Sequence, residues 1–238
     1  MSAPVLALEN LCFAWPRSPS PCLDIEELSI RPGETVFLHG PSGCGKSTLL
    51  ALMAGVLLPQ DGRIAVQGRQ WGDMGRIARD RHRVDHVGYI FQQFNLLPYL
   101  GVMDNTVLPC RFSASRRSAA VRRSGSVQAE AESWLAGMGL DRTLWDRTSN
   151  ELSVGQQQRV AAARALMGEP ALVIADEPTS ALDEDRRAAF LDLLLSACAQ
   201  SRSALVFVSH DRRIAGRFTR TIELPSINRA GRADEAAA

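Results

Sequence analysis

The run Gly40-Pro41-Ser42-Gly43-Cys44-Gly45-Lys46-Ser47-Thr48 constrains this chain more than any other stretch. Glycines at 40, 43 and 45 let the backbone curl so that successive N–H groups converge on one point, a geometry that suits an anion. The apolar residues Thr35–His39 read as a buried strand entering the run. A helix starting near Ser47 and continuing through Ala54 leaves it and adds the positive end of its dipole. The spacing G-x-x-x-x-G-K-[ST] in that strand–loop–helix setting is a phosphate loop, in which Lys46 reaches the terminal phosphates and the Ser47 hydroxyl is placed to ligate Mg²⁺. Lys46 is the single lysine of the chain, every other basic side chain being arginine. It stands where a slim ammonium serves and a broad guanidinium would not. Cys44, inside the loop and beside a helix N-terminus, is expected to react with maleimide and to be shielded by a bound nucleotide.

The 238 residues suit one large domain or two small ones, and a net charge of +1 argues against a general attraction to nucleic acid or acidic lipid. Cys12, Cys22, Cys44, Cys110 and Cys198 are scattered without a C-x-x-C pair, the usage expected in a reducing compartment. No secretory leader is visible in the sequence, and the longest apolar run, Leu49 to Leu58, is about half of the ~20 residues a membrane span needs. Work at a membrane would require a spanning partner.

Val5–Phe13 and Leu23–Ile30 read as a pair of antiparallel strands closed by a Ser/Pro-rich turn, and Arg31–Glu34 turns the chain into the phosphate-loop strand. Pro59–Gly62 reads as a turn, Arg63–Gly68 as a short strand, Gly72–His86 as an arginine-rich surface helix and Val87–Phe91 as a buried strand. From Phe94 to about Arg164 the pattern is helical. Strands return at Ala171–Ala175 and Ala204–Val208, with a helix over Arg186–Ala199 between them. The expected fold is therefore α/β: a mainly parallel P-loop NTPase core with an N-terminal antiparallel β subdomain and an inserted α-helical subdomain. The expected limits are one domain over 1–226, with core and β subdomain in about 1–93 and 165–226, the helical part in about 94–164, and a disordered tail over 227–238. Arg116, Arg117, Arg122 and Arg123 read as a solvated basic face; the sharper alternative is a contact with a membrane partner or anionic headgroups.

Asp176-Glu177 follows an apolar strand directly, so both acids emerge at its carboxyl end beside the phosphates. The first suits holding Mg²⁺ and the second suits activating the attacking water as a general base. In Leu152-Ser153-Val154-Gly155-Gln156-Gln157-Gln158-Arg159, Ser153 reads as the cap of a helix and hence as a second anion site.

With these motifs in order, the chain resembles the ATP-binding cassette (ABC) ATPases over nearly its whole length. The resemblance puts Gln92 at the Q-loop position, beside the metal and the attacking water. It puts Leu152–Gln156 at the L-S-G-G-Q signature, with Val154 in place of a glycine, and Ser180-Ala181-Leu182-Asp183 at the D-loop. His210 falls at the switch histidine, and Trp15 where an aromatic ring stacks on adenine. It thus implies Glu177, His210, Lys46 and Gln92 in catalysis. Residues Trp15, Gly40–Thr48, Ser153, Gly155, Gln156 and Asp183 would contact ATP, and Ser47, Gln92 and Asp176 would serve Mg²⁺. In that family the signature of one copy closes over the nucleotide of the other, so the resemblance, with one phosphate loop, one signature and no internal repeat, implies that two copies assemble to complete two sites.

A single cassette without a membrane span or long coiled coil fits the separate ATPase subunit of a transporter, peripheral to the cytoplasmic side of the membrane through an integral permease. The stretch His86–Leu100, with Asp104-Asn105 and Leu108-Pro109, is similar to the lipoprotein-releasing and macrolide-export group, which implies a permease with a large extracytoplasmic domain and an exporter or mechanotransmission role; amino-acid importers share part of it. The residues after Gln92 would then form part of the groove for the permease's coupling helix. The competing expectation is a non-transport ATPase that regulates a membrane partner such as a cell-wall hydrolase.

Overall fold

The computed structural model describes residues 3–18 and 20–230. Along the chain run β1 (Leu6–Phe13), β2 (Leu23–Ile30), β3 (Thr35–His39), α1 (Lys46–Met53), β4 (Asp61–Val66), β5 (Arg69–Gln70), α2 (Arg76–His86) and β6 (Val87–Ile90). Four helices follow, α3 (Val102–Phe112), α4 (Ala114–Ser124), α5 (Val127–Gly137) and α6 (Val154–Leu166). The chain then returns through β7 (Leu172–Asp176), α7 (Glu184–Ser201), β8 (Ala204–Val208), β9 (Arg220–Glu223) and α8 (Leu224–Ile227).

Two sheets result, a four-stranded one in the order β2-β1-β4-β5 and a five-stranded one in the order β6-β7-β8-β3-β9. The strand pairings are antiparallel in the first and parallel in the second. The β1–β2 pairing matches the sequence expectation, Leu6 facing Ile30 and Phe13 facing Leu23. The parallel strands are buried almost throughout, and their side chains alternate between two cores with a two-residue period. Phe37, Val173, Ala175, Leu205 and Phe207 join a core with residues of α6 and α7, whereas Val36, Leu38, Ile174 and Val206 join the core shared with α1 and the antiparallel sheet. The parallel sheet is thus covered on both faces. The loop after β3 and the acids after β7 share its carboxyl edge, where α/β folds bind ligands.

Several expectations are corrected. Residues 59–62 are not simply a turn: Asp61 and Gly62 open β4. Gly62 has φ 85°, and a Cβ there would stand 2.2 Å from the Asn10 carbonyl oxygen, at the register shift between Glu9 and Cys12. Only glycine allows that approach. The helix expected from Gly72 begins at Arg76, because the fully buried Trp71 anchors the preceding turn by donating to Met53 O at 3.2 Å. Arg116 is not a solvated charge: it is 1 % exposed, and its Nη1 donates to the carbonyls of Ala165 at 3.4 Å and Met167 at 3.0 Å, closing the end of α6. Residues 227–230, expected to be disordered, pack against the start of β2. The rest of that tail, 231–238, lies outside the described residues.

Candidate functional site

The phosphate loop is built as its glycines require. Gly43 and Gly45 hold φ of 80° and 99°, and Gly45 is the N-cap of α1, so the loop enters the helix through a left-handed residue. Lys46 is buried, and its Nζ donates to Gly40 O at 2.9 Å and Pro41 O at 2.8 Å, which spans the mouth of the loop with its own carbonyls. Ser47 follows in the first turn of α1.

Asp176 closes β7 and lies close enough to Lys46 to feel its charge. Burial pushes the Asp176 carboxyl above the usual range, the neighbouring Glu177 carboxylate adds to the rise, and the Lys46 ammonium offsets part of it. Glu177 takes φ 45°, unusual for a non-glycine residue, and is fixed there by its N–H donating to Val208 O at 3.1 Å. That turn brings Glu177 Oε1 to 2.5 Å from Nε2 of His210. An acid and an imidazole from the ends of adjacent strands therefore share one spot at the sheet's edge.

His210 stands on a loop held from behind. Asp211 accepts from Arg213, and it also pairs with Arg187 of α7, whose Nη2 donates to Leu182 O at 3.0 Å. These guanidinium bonds, Arg213 foremost, hold the Asp211 carboxyl well below the usual carboxylate range. Sequence reasoning missed this brace, because nothing in the spacing of Arg187 and Asp211 marks them as partners.

Ser153 caps α6 as expected: its Oγ accepts from Gln156 N at 3.4 Å, and Gln156 Oε1 accepts from Ser153 N at 2.8 Å, a closed capping box. Gln156 therefore directs its carbonyl at its own cap. Val154, the residue replacing glycine, is 48 % exposed. The cleft beside this cap is formed with Leu140, Leu182, Arg186 and Phe190 and includes none of residues 40–48. Gln158, on the buried side of α6, ties it to the turn after Glu177 by donating to Pro178 O at 2.9 Å. Asp183 caps α7 through Arg186 N at 2.9 Å and pairs with the Arg186 guanidinium. Trp15 is 48 % exposed, with its ring meeting Phe13 edge-on at 5.3 Å, so its face is not consumed by the core. Gln92 is exposed just beyond β6.

The structure thus brings Lys46, Asp176, Glu177 and His210 to one edge. Ser153, Gly155 and Gln156 stand in a separate cleft with the residues leading to Asp183. Among the described residues no three His, Cys, Asp or Glu side chains gather to hold a metal. The donor chemistry of this edge, a desolvated Asp176 carboxylate near Lys46 with the Ser47 hydroxyl on the next residue of α1, fits a cation that takes its other ligands from phosphate oxygens.

Residues 23–180 match the family model for the ABC transporter domain. The chain is 39% identical over 198 residues to the "uncharacterized ABC transporter ATP-binding protein YbbA" of Escherichia coli strain K12, which covers 83% of each chain. It is 35% identical over 212 residues to the lipoprotein-releasing system ATP-binding protein LolD of Xanthomonas oryzae pv. oryzae strain MAFF 311018, covering 89% of this chain and 84% of that one. Among solved structures it is similar to the dimeric ATP-binding cassette MJ0796 in a post-hydrolysis state bound to ADP and Pi. There the TM-score is 0.80 and the identity 32%, over 92% of this chain and 93% of the other.

Proposed function

Because the chain belongs to the ABC transporter family as an ATP-binding subunit and ATPase, we propose that it works as a nucleotide-driven clamp of two copies that moves a separate membrane permease of the lipoprotein-releasing or macrolide-export kind. In this reading the loop 40–48 cradles the phosphates, Trp15 stacks on the base, and Lys46 leaves the carbonyls of Gly40 and Pro41 to follow the terminal phosphate. Ser47, Asp176 and Gln92 would hold Mg²⁺, which when bound neutralises charge developing on the β- and γ-phosphates. Glu177 orients and deprotonates the attacking water, and His210 holds that carboxylate in place. Ser153 and Gly155, on a cleft apart from their own phosphate loop, serve the nucleotide of the second copy.

The observation that carries the membrane part of the reading is an apolar groove of 530 Å³ between α1, β6 and the helical segment, lined by Val56, Phe91, Leu108, Pro109 and Phe112. Val56 is 61 % and Phe112 74 % exposed, more apolar surface than an isolated chain gains by displaying. No helix of the described residues is long and apolar enough to cross a membrane. A coupling helix of the permease suits this groove, which would place the subunit at the cytoplasmic face of the membrane. The test is co-purification from solubilised membranes. Wild-type protein should retain an integral partner that Phe112→Asp loses, while ATP affinity stays the same; equal retention by both would remove the groove from the interface.

A further inference from the structure

Segments from near the two ends of the chain meet behind the phosphate loop. Gly40 opens the loop against α8: a Cβ there would stand 3.1 Å from Pro225 Cδ and 3.7 Å from Leu224 Cβ. Gly45 closes the loop against the start of β2, where a Cβ would stand 2.8 Å from Leu23 Cδ2 and 3.3 Å from Cys22 Sγ. Each end of the loop is therefore backed by a different segment, one near the N-terminus and one near the C-terminus.

Asn228 joins those segments. Its Nδ2 donates to Cys22 O at 3.1 Å, and its Oδ1 accepts from Asp24 N at 2.8 Å and Ala230 N at 3.1 Å. Its own N–H donates to Leu224 O at 2.9 Å. The side chain is buried, and a carboxamide is the group that can donate to one backbone carbonyl and accept from a nearby N–H at once. Cys22 N in turn donates to Phe13 O at 2.8 Å, and Phe13 carries the ring against which Trp15 rests. One amide therefore reaches both the loop's backing and the strand leading to Trp15.

We propose that Asn228 is a positioning residue for the phosphate loop. It fixes the separation of residues 22–24 and 224–225, so the loop keeps its inward-facing N–H groups before a phosphate arrives. Such preorganisation lowers the cost of ordering the loop on binding. Among the described residues, Asn228 itself bonds only to backbone groups of Cys22, Asp24, Leu224 and Ala230.

Calorimetry with ATP and the rate of maleimide labelling at Cys44 test this on the whole chain. Asn228→Ala should weaken ATP binding about three- to tenfold, the worth of one such hydrogen bond, and Cys44 should label faster in nucleotide-free protein. Arg229→Ala removes the neighbouring surface pairs to Asp24 and Glu26 but none of the Asn228 bonds, so both readouts should stay at wild-type values. Should Asn228→Ala fail to fold, Asn228→Asp keeps the acceptor for Asp24 N–H and replaces the donor to Cys22 O with a carboxylate oxygen, and weaker ATP binding is expected again. A folded Asn228 variant with unchanged affinity and labelling, and only a lower unfolding midpoint, overturns the proposal. So does an equal loss of affinity in Arg229→Ala.

Discussion

Nε2 of His210 lies 2.5 Å from Oε1 of Glu177, across the ends of two adjacent parallel strands. The left-handed backbone at Glu177 and its tie to Val208 O produce this contact, so the carboxylate is aimed by the fold rather than by a flexible stem. Glu177→Gln keeps the shape and removes the base. Turnover should fall at least about 100-fold while ATP still binds, and MgATP should hold the variant as a dimer on a sizing column. Wild-type turnover in the variant would remove Glu177 from the chemistry.

Lys46 donates to two carbonyls of its own loop, Gly40 O and Pro41 O. Lys46→Ala should lower ATP affinity by about tenfold or more, as expected for losing a charge-assisted hydrogen bond. Titration calorimetry decides; equal affinities would place the ammonium outside the site.

Cys44 is partly buried, and its Sγ lies 2.7 Å from where a Gly40 Cβ would be, inside the curl of the loop. Maleimide should label it in nucleotide-free protein and about tenfold more slowly in saturating ATP, by steric cover alone. Mass spectrometry after timed quenching reads the difference, and identical rates would mean that ATP sits elsewhere.

Asp176 carries a cost of its own. Its carboxyl is pushed up by burial first and by Glu177 second, so its contribution to stability is full below the ordinary carboxylate range of about pH 4 and is lost as pH rises through the raised value. At pH 7 the charged form is therefore unfavourable in the nucleotide-free protein. Asp176→Asn should raise the unfolding midpoint by about 1–3 °C at pH 7, lose that gain near pH 4, and abolish Mg²⁺-dependent hydrolysis. A midpoint unchanged across that range would show that the carboxylate is not strained.

What the sequence made legible was local. The phosphate loop, the Ser153 cap and the acids after β7 are set by neighbours within a few residues, and their geometry follows from glycine φ, cap chemistry and strand direction. What it hid depends on distant partners. The burial of Arg116 is decided by carbonyls of Ala165 and Met167, and the packing of residues 227–230 by Cys22 and Asp24. Strand β9 is short and mostly exposed, and it pairs in parallel with β3 at the sheet's edge. Asp183 and Gln156 show a further limit: in the single chain both side chains are engaged in helix caps, a choice that residue type alone does not reveal.

Arg187 grips the Leu182 carbonyl with one nitrogen and the Asp211 carboxylate with another. Leu182 borders the cleft of Gly155, and Asp211 directly follows His210. In the proposed two-copy clamp, the bend at the seam and the bend beside the phosphate would therefore hang from a single hinge pin, and cleavage at one would tug on the other.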